Sequence, residues 1–171
     1  KNITNDDIRA IKMLKVDNFC KQINNFQSEL NCIKNIQISQ KKLIDDETCS
    51  EYTNNEPLGF IKENRGCCFD RARFIEKSLN FYGIKSRRVF LIPRDKYGIF
   101  AIFIPNGDNH AVTEAKTSKG WIGIETVNKL FILIDKNNSP LTFSDAIKKE
   151  SFSNYTDQDF YSRDLLSVVG L

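Results

Sequence analysis

Three side chains carry the chemistry this sequence offers. Cys68 stands at the start of an amphipathic run, within Arg65-Gly66-Cys67-Cys68-Phe69-Asp70-Arg71-Ala72. His110 is the only histidine, and it opens an alternating run. Glu125 lies in the next alternating run, just past Trp121. A thiol, an imidazole and a carboxylate in that order make an activated sulfur nucleophile when a fold brings them together. A neutral thiol attacks carbonyl carbon poorly near pH 7, whereas its thiolate attacks well. A helix N-terminus favours the thiolate through the positive end of its dipole and its N–H groups. The same N–H groups can receive a developing oxyanion. A neighbouring imidazolium would complete the activation and later protonate a leaving group. Glu125 would accept a bond from the other ring nitrogen and fix its tautomer. Gly66 is expected to let the backbone bend sharply before the cysteine.

Residue types alone leave alternatives open. Cys68 also reads as a small apolar residue on the helix stripe, and Cys67 is a second candidate nucleophile. A lone histidine is commonly a satisfied structural group, and a strand-end carboxylate such as Glu125 is commonly solvated. Trp121 reads most simply as a core anchor.

These groups need elements to hold them. Cys68, Ala72, Ile75, Leu79 and Tyr82 recur at helical spacing, which predicts a helix from Cys68 to Tyr82 that Gly83 stops in a left-handed conformation. Arg71, Arg73, Glu76 and Lys77 fall mostly off that stripe. After Gly83 the period changes. Strands are expected over 86–92, 98–104, 110–116, 121–127 and 130–134, with a hairpin turn over 117–120. A hairpin centred on residues 118 and 119 brings His110 near Glu125. Thr142 and Asp145 predict a short helix through Lys149.

The polar first third still shows helical periodicity. Thr4 caps a helix with Asp6 and Asp7 in its first turn, followed by Ile8 and Ile11. Further apolar sets run through Val16, Phe19, Cys20 and Ile23, then Leu30, Ile33 and Ile36. Residues 45–57 read as a loop. Helices first and an antiparallel sheet after them make an α+β fold. One domain is expected over 1–171, with a helical extension over 1–57, a catalytic core over 58–135 and a C-terminal segment over 136–171.

Composition limits the partners. The 171 residues suffice for one domain with a core. A net charge of +3 with dispersed Lys and Arg argues against nucleic-acid binding. No apolar run is long enough to span a bilayer, and no secretory signal is visible. The abrupt ends read as those of a fragment, so the compartment stays open, with an extracytoplasmic origin as one option. Cysteine is present in an odd number. With Cys68 outside a disulfide, Cys20, Cys32, Cys49 and Cys67 can form two disulfides in an oxidising compartment, in one of three pairings, whereas in a reducing compartment all five are thiols. No CxxC pair occurs and one histidine does not complete a usual zinc set, so no metal is expected. No acidic calcium-loop pattern appears, and no other cofactor is implied.

The spacing resembles that of the transglutaminase-like superfamily, papain-like cysteine enzymes with the order Cys, His, Asp. Its pattern of Gly-x-Cys-x-x-x-Ala, a helix ending in Gly-Ile, then Arg and Val is matched by Gly66, Cys68, Ala72, Gly83, Ile84, Arg87 and Val89. Its second block of His-Ala, a hairpin, Trp, an apolar residue and Asp is matched by His110, Ala111, Glu114, Trp121 and Ile124, with Glu125 on the Asp position. The resemblance covers residues 58–127 and leaves the N-terminal helices unmatched. The Ala72 spacing selects Cys68 over Cys67 as nucleophile. Arg87 falls on an arginine that is structural in the family. Glu replaces Asp at 125, and Thr126-Val127 replaces the usual Pro-Thr, which leaves Asp135 or Asn128 as other candidates for the third member. Asn64 and Tyr52 are candidates for the second oxyanion donor. The resemblance implies thioester chemistry on a peptide or protein substrate. With water the outcome is peptidase or amidase activity, the more general one in bacterial relatives of this size. With an amine it is transglutamination. A binding scaffold that keeps the fold without the activity is a further possibility, to which the Glu at 125 gives weight. An arylamine acetyltransferase fits the Arg65-Gly66 pair but not the chain length.

Overall fold

Thr4 starts the first helix by a reciprocal cap. Its hydroxyl accepts from the Asp7 N–H at 3.2 Å, and the Asp7 carboxylate accepts from the Thr4 N–H at 2.8 Å. This satisfies N–H groups that a helix start leaves without partners. The computed structural model describes residues 2–49, 56–93, 110–127, 130–148 and 166–170. The helical layer comprises α1 (Asn5–Met13), α2 (Asp17–Cys20), α3 (Phe26–Leu43), α4 (Pro57–Glu63) and α5 (Cys68–Phe81). The sheet comprises β1 (Ser86–Pro93), β2 (His110–Thr117), β3 (Gly120–Ile124) and β4 (Leu166–Gly170), and α6 (Phe143–Lys148) precedes β4. The strands are antiparallel in the order β3-β2-β1-β4. This is the expected α+β architecture.

Helix α5 is more deeply embedded than an amphipathic stripe requires. Ala72, Ile75 and Leu79 are buried as expected, and so are Asp70, Arg71, Glu76 and Lys77. Buried charge persists only when paired. The Lys77 ammonium donates to both Asp7 oxygens at 2.7 Å and to Glu56, which ties α5 to α1 and to the start of α4. Burial pushes the Asp7 carboxyl up, but the Lys77 bond and the Thr4 bonds outweigh it and hold its pKa below 3.8. Gly83 follows the helix at φ +84°, the left-handed position predicted for it.

The sheet lies between two apolar layers. Ala115, Ile122 and Ile124 pack against the helices, with Ile75, Leu79, Ile33 and Ile36. Val89, Leu91 and Val112 pack on the other face with Phe131, Leu133, Leu141 and Phe143. Gly123 lies where the second layer comes closest. A Cβ there would meet Leu133 Cδ1 at 2.6 Å and the Phe143 ring at 2.8 Å.

Several expectations need correction. Phe19 is 42% exposed, because the single turn of α2 buries Val16 and Cys20 instead. Helix α4 begins inside what reads as the end of a loop: Pro57 occupies the first turn, where its missing N–H costs nothing, and Phe60 is fully buried. Residues 130–134 form isolated bridges, Ile124 to Ile132 and Ile134 to Pro140, in place of a full strand. The strand expected over 121–127 ends at Ile124. The strand expected over 98–104 lies outside the described residues, as does the last residue of the helix expected to reach Lys149. We predict that Gly123→Ala lowers stability by about 1–3 kcal/mol through overpacking. Urea denaturation followed by circular dichroism measures it, and an unchanged midpoint would show that Leu133 and Phe143 repack freely.

Candidate active site

The approach to α5 is shaped by a buried arginine. Arg71 is 1% exposed. Its Nε donates to the Gly66 carbonyl at 2.6 Å, and its Nη2 donates to the carbonyls of Ile44 at 2.8 Å and Asp46 at 3.2 Å. The fixed fork of a guanidinium suits several carbonyls at once. Gly66 itself has no left-handed φ, and a Cβ on it would meet Ile44 and Asp70 at an ordinary 3.4 Å. The expected need for a glycine bend is therefore not met: the loop takes its shape from Arg71 and from its pairing with residue 46. Cys67 caps the helix, with its N–H donating to the Asp70 carboxylate at 3.2 Å. Its sulfur is joined to Cys49, and Cys20 is joined to Cys32. Of the three possible pairings this is the one adopted. Cys68, the first residue of α5, is the one cysteine outside a disulfide.

The Cys68 sulfur meets His110. Burial pushes the thiol up from its ordinary 9.0, but its bond to the imidazole, the Ala111 N–H and the charge on His110 reverse this, so the thiol ionises more readily than usual. Burial likewise disfavours a charged His110. Its bonds to Cys68 and Glu125, and the charge on each, win and raise it from 6.5 to about 10. Both shifts favour a thiolate beside an imidazolium. His110 Nε2 donates to the Glu125 oxygens at 2.9 and 3.0 Å, which leaves Nδ1 for the sulfur. Extending the β2–β3 register places residue 127 opposite His110, so Glu125 reaches it diagonally.

Glu125 is 3% exposed and tightly held. Its Oε1 accepts from the N–H groups of Thr126 at 2.7 Å and Val127 at 3.0 Å. Its backbone carbonyl accepts from the Gln37 amide at 2.7 Å. Thr126 Oγ1 donates to the Ala111 carbonyl at 3.0 Å and lies 3.5 Å from that of Cys68, a link between the three segments.

The structure thus gathers Cys68, His110 and Glu125 and leaves the other candidates elsewhere. Asp135 folds onto its own turn, accepting from Asn137 and Ser139. Asn64 ends α4 with a left-handed φ of 51°, and its side chain accepts from the Asp45 N–H. Cys67 is bonded away. Asn128 and Tyr52 lie outside the described residues. Arg87 pairs with Glu114 at 2.7 Å and lies over Trp121 at 4.4 Å, a structural arrangement, and Trp121 is half-buried. Cys49, Cys67 and Asp70 lie within 4.8 Å of one another, but the two joined sulfurs offer no thiolate to a metal. Sequence reasoning missed Arg71, Thr126 and Gln37. Gln37 had a visible signal: with Ile33 and Gln40 it falls at helical spacing on the apolar face of α3, and both glutamines are buried.

The family model that describes the transglutaminase-like superfamily matches residues 20–126. The match starts well upstream of residue 58, so it includes α3, which the resemblance over residues 58–127 leaves unmatched. No curated protein matches the sequence. Among solved structures the chain is similar to a TGase, with 12% identity and a TM-score of 0.46, over 96% of this chain and 40% of that one. It is also similar to a provisionally named protease from Parabacteroides distasonis ATCC 8503, with 12% identity and a TM-score of 0.39, over 80% of this chain and 31% of that one. The chain spans less than half the length of either.

Because Cys68 is the one cysteine outside a disulfide, alkylation reports on it directly. We predict labelling by iodoacetamide whose rate rises with pH through a midpoint below 9.0, since the thiolate is the reacting form. His110→Ala should slow labelling at pH 7 by about tenfold or more, through loss of the bond and charge that favour the thiolate. Slow labelling with the midpoint of an ordinary thiol in both proteins would contradict the thiolate–imidazolium arrangement.

Proposed function

The chain belongs to the transglutaminase-like superfamily, and on that premise we propose that it is a cysteine-nucleophile hydrolase, a peptidase or amidase working through a thioester. The observation that supports this most is the chain of contacts from the Cys68 sulfur through His110 to Glu125. In this reading residues 1–171 act as one domain and residues 58–135 carry the reacting groups.

Each residue has one task. The Cys68 thiolate attacks the carbonyl carbon of an amide, forming a carbon–sulfur bond and a tetrahedral oxyanion. The first-turn N–H groups of α5 receive that negative charge. His110 gives its Nδ1 proton to the leaving nitrogen, the carbon–nitrogen bond breaks, and an acyl-thioester remains. Neutral His110 then takes a proton from water, whose oxygen attacks the thioester. Collapse expels the Cys68 thiolate and releases the acid, leaving thiolate and imidazolium as at the start. Glu125 keeps Nδ1 aimed at the sulfur and stabilises the imidazolium. The weight that Glu at 125 gives to an inactive scaffold is reduced by its reach: the longer side chain contacts His110 at 2.9 Å. Acyl transfer shares every step to the thioester and differs only in using an amine in place of water. The two disulfides suit an oxidising compartment. No described helix is long and apolar enough to cross a membrane.

Acylation requires a thiolate and an imidazolium together, so peptide release is expected to follow a bell in pH. The acid limb comes from Cys68 and lies below 9.0, and the basic limb comes from His110 near pH 10. Glu125→Gln removes the carboxylate that favours the imidazolium, so the basic limb should move to lower pH. Cys68→Ala should abolish release, and His110→Ala should lower kcat about 10²- to 10⁴-fold. Release of new peptide termini, set against incorporation of a fluorescent primary amine, separates hydrolysis from transfer. Unchanged turnover in Cys68→Ala would end the proposal.

A further inference from the structure

We infer that Gln37, on helix α3, is a positioning residue that aims Glu125 at His110; the inference rests on the reading of Cys68, His110 and Glu125 given above.

Strand pairing stops at Ile124. Glu125 is therefore the first residue that the β2–β3 ladder no longer fixes. Its side chain must nevertheless present both oxygens to one imidazole nitrogen. Glu has one more rotatable bond than Asp, so its carboxylate can be aimed from that position only if the backbone at 125 is fixed. The carboxylate turns back onto the N–H groups of Thr126 and Val127, so its direction follows the orientation of this turn.

Gln37 supplies what the sheet stops supplying. Gln37 is 2% exposed. Its Nε2 donates to the Glu125 carbonyl at 2.7 Å and to the Phe131 carbonyl at 3.0 Å. The Phe131 carbonyl also accepts from the Glu125 N–H at 3.0 Å. One amide thus ties the Glu125 backbone to that of Phe131, from a helix residue 88 positions away in sequence. Gln37 touches none of the reacting atoms, so it acts through Glu125 alone.

The sole histidine makes the test direct, because its ring signals in NMR titrate without overlap. Among the described residues, the charged groups acting on His110 include Glu125 and the Cys68 sulfur. Gln37→Met keeps the length of the side chain and removes both N–H donors. Its His110 midpoint should move from near 10 toward 6.5, in the same direction as in Glu125→Gln and by less. Peptide release should show kcat lowered about tenfold or more, with KM changed less than about twofold, as expected when a reacting group is misplaced. Ile36→Ala removes a buried side chain from the same helix and should lower Tm with the His110 midpoint unchanged. If Gln37→Met does not fold, Gln37→Asn is read in the same way, since it keeps the amide but withdraws it by one methylene. An unmoved midpoint in the Gln37 variant beside a moved one in Glu125→Gln would overturn the inference. An unmoved midpoint in Glu125→Gln would instead overturn the reading of the three residues on which it rests.

Discussion

The contact between the Cys68 sulfur and the His110 ring is the constraint around which this molecule is built. Both groups are largely withdrawn from water, and burial alone would leave each neutral. Charge is favoured there because each supplies the opposite charge to the other and because Glu125 stands behind the ring. Such an arrangement tolerates little movement. A gap that admitted water would screen the attraction, whereas loss of one partner would leave the remaining charge buried alone. The fold therefore has to deliver a helix tip, a strand start and a strand end to one point with little freedom at any of them.

It does so with polar groups drawn inside. Arg71 gathers three carbonyls before the helix tip, Lys77 fastens the middle of α5 to α1, and Thr113 donates to the Ala72 carbonyl from β2. Each of these groups is costly to bury without a partner, so each also penalises any packing in which the partner is displaced. Apolar side chains set the layers, and these polar anchors set where along and around the layers α5 comes to rest.

Much of this was legible in the sequence and some was not, for physical reasons. The span of α5, its glycine stop and the hairpin register are local properties written in spacing, and they emerged nearly as read. The pairing of Cys68, His110 and Glu125 was legible because a family pattern and a chemical order coincide at those positions. Pro57 misled, because a proline that breaks a helix interior also begins a helix well. Phe19 misled, because a one-turn helix does not hold a stripe long enough to choose its buried side. Arg71, Glu76 and Lys77 looked like a solvated face, since whether a charge is buried depends on partners far away in the chain. Gln37 was legible in part: its spacing puts it on the apolar face of α3, but its partners are fixed only when residue 125 comes to lie against it.

The Cys49–Cys67 bond lies immediately before Cys68 and closes a ring of chain that includes all of α4. A protease that cut the backbone inside this ring would therefore release nothing. The nicked protein would travel as one covalent body, with residue 67 still held by its bond to Cys49. Only after reduction would a denaturing gel show it as two bands.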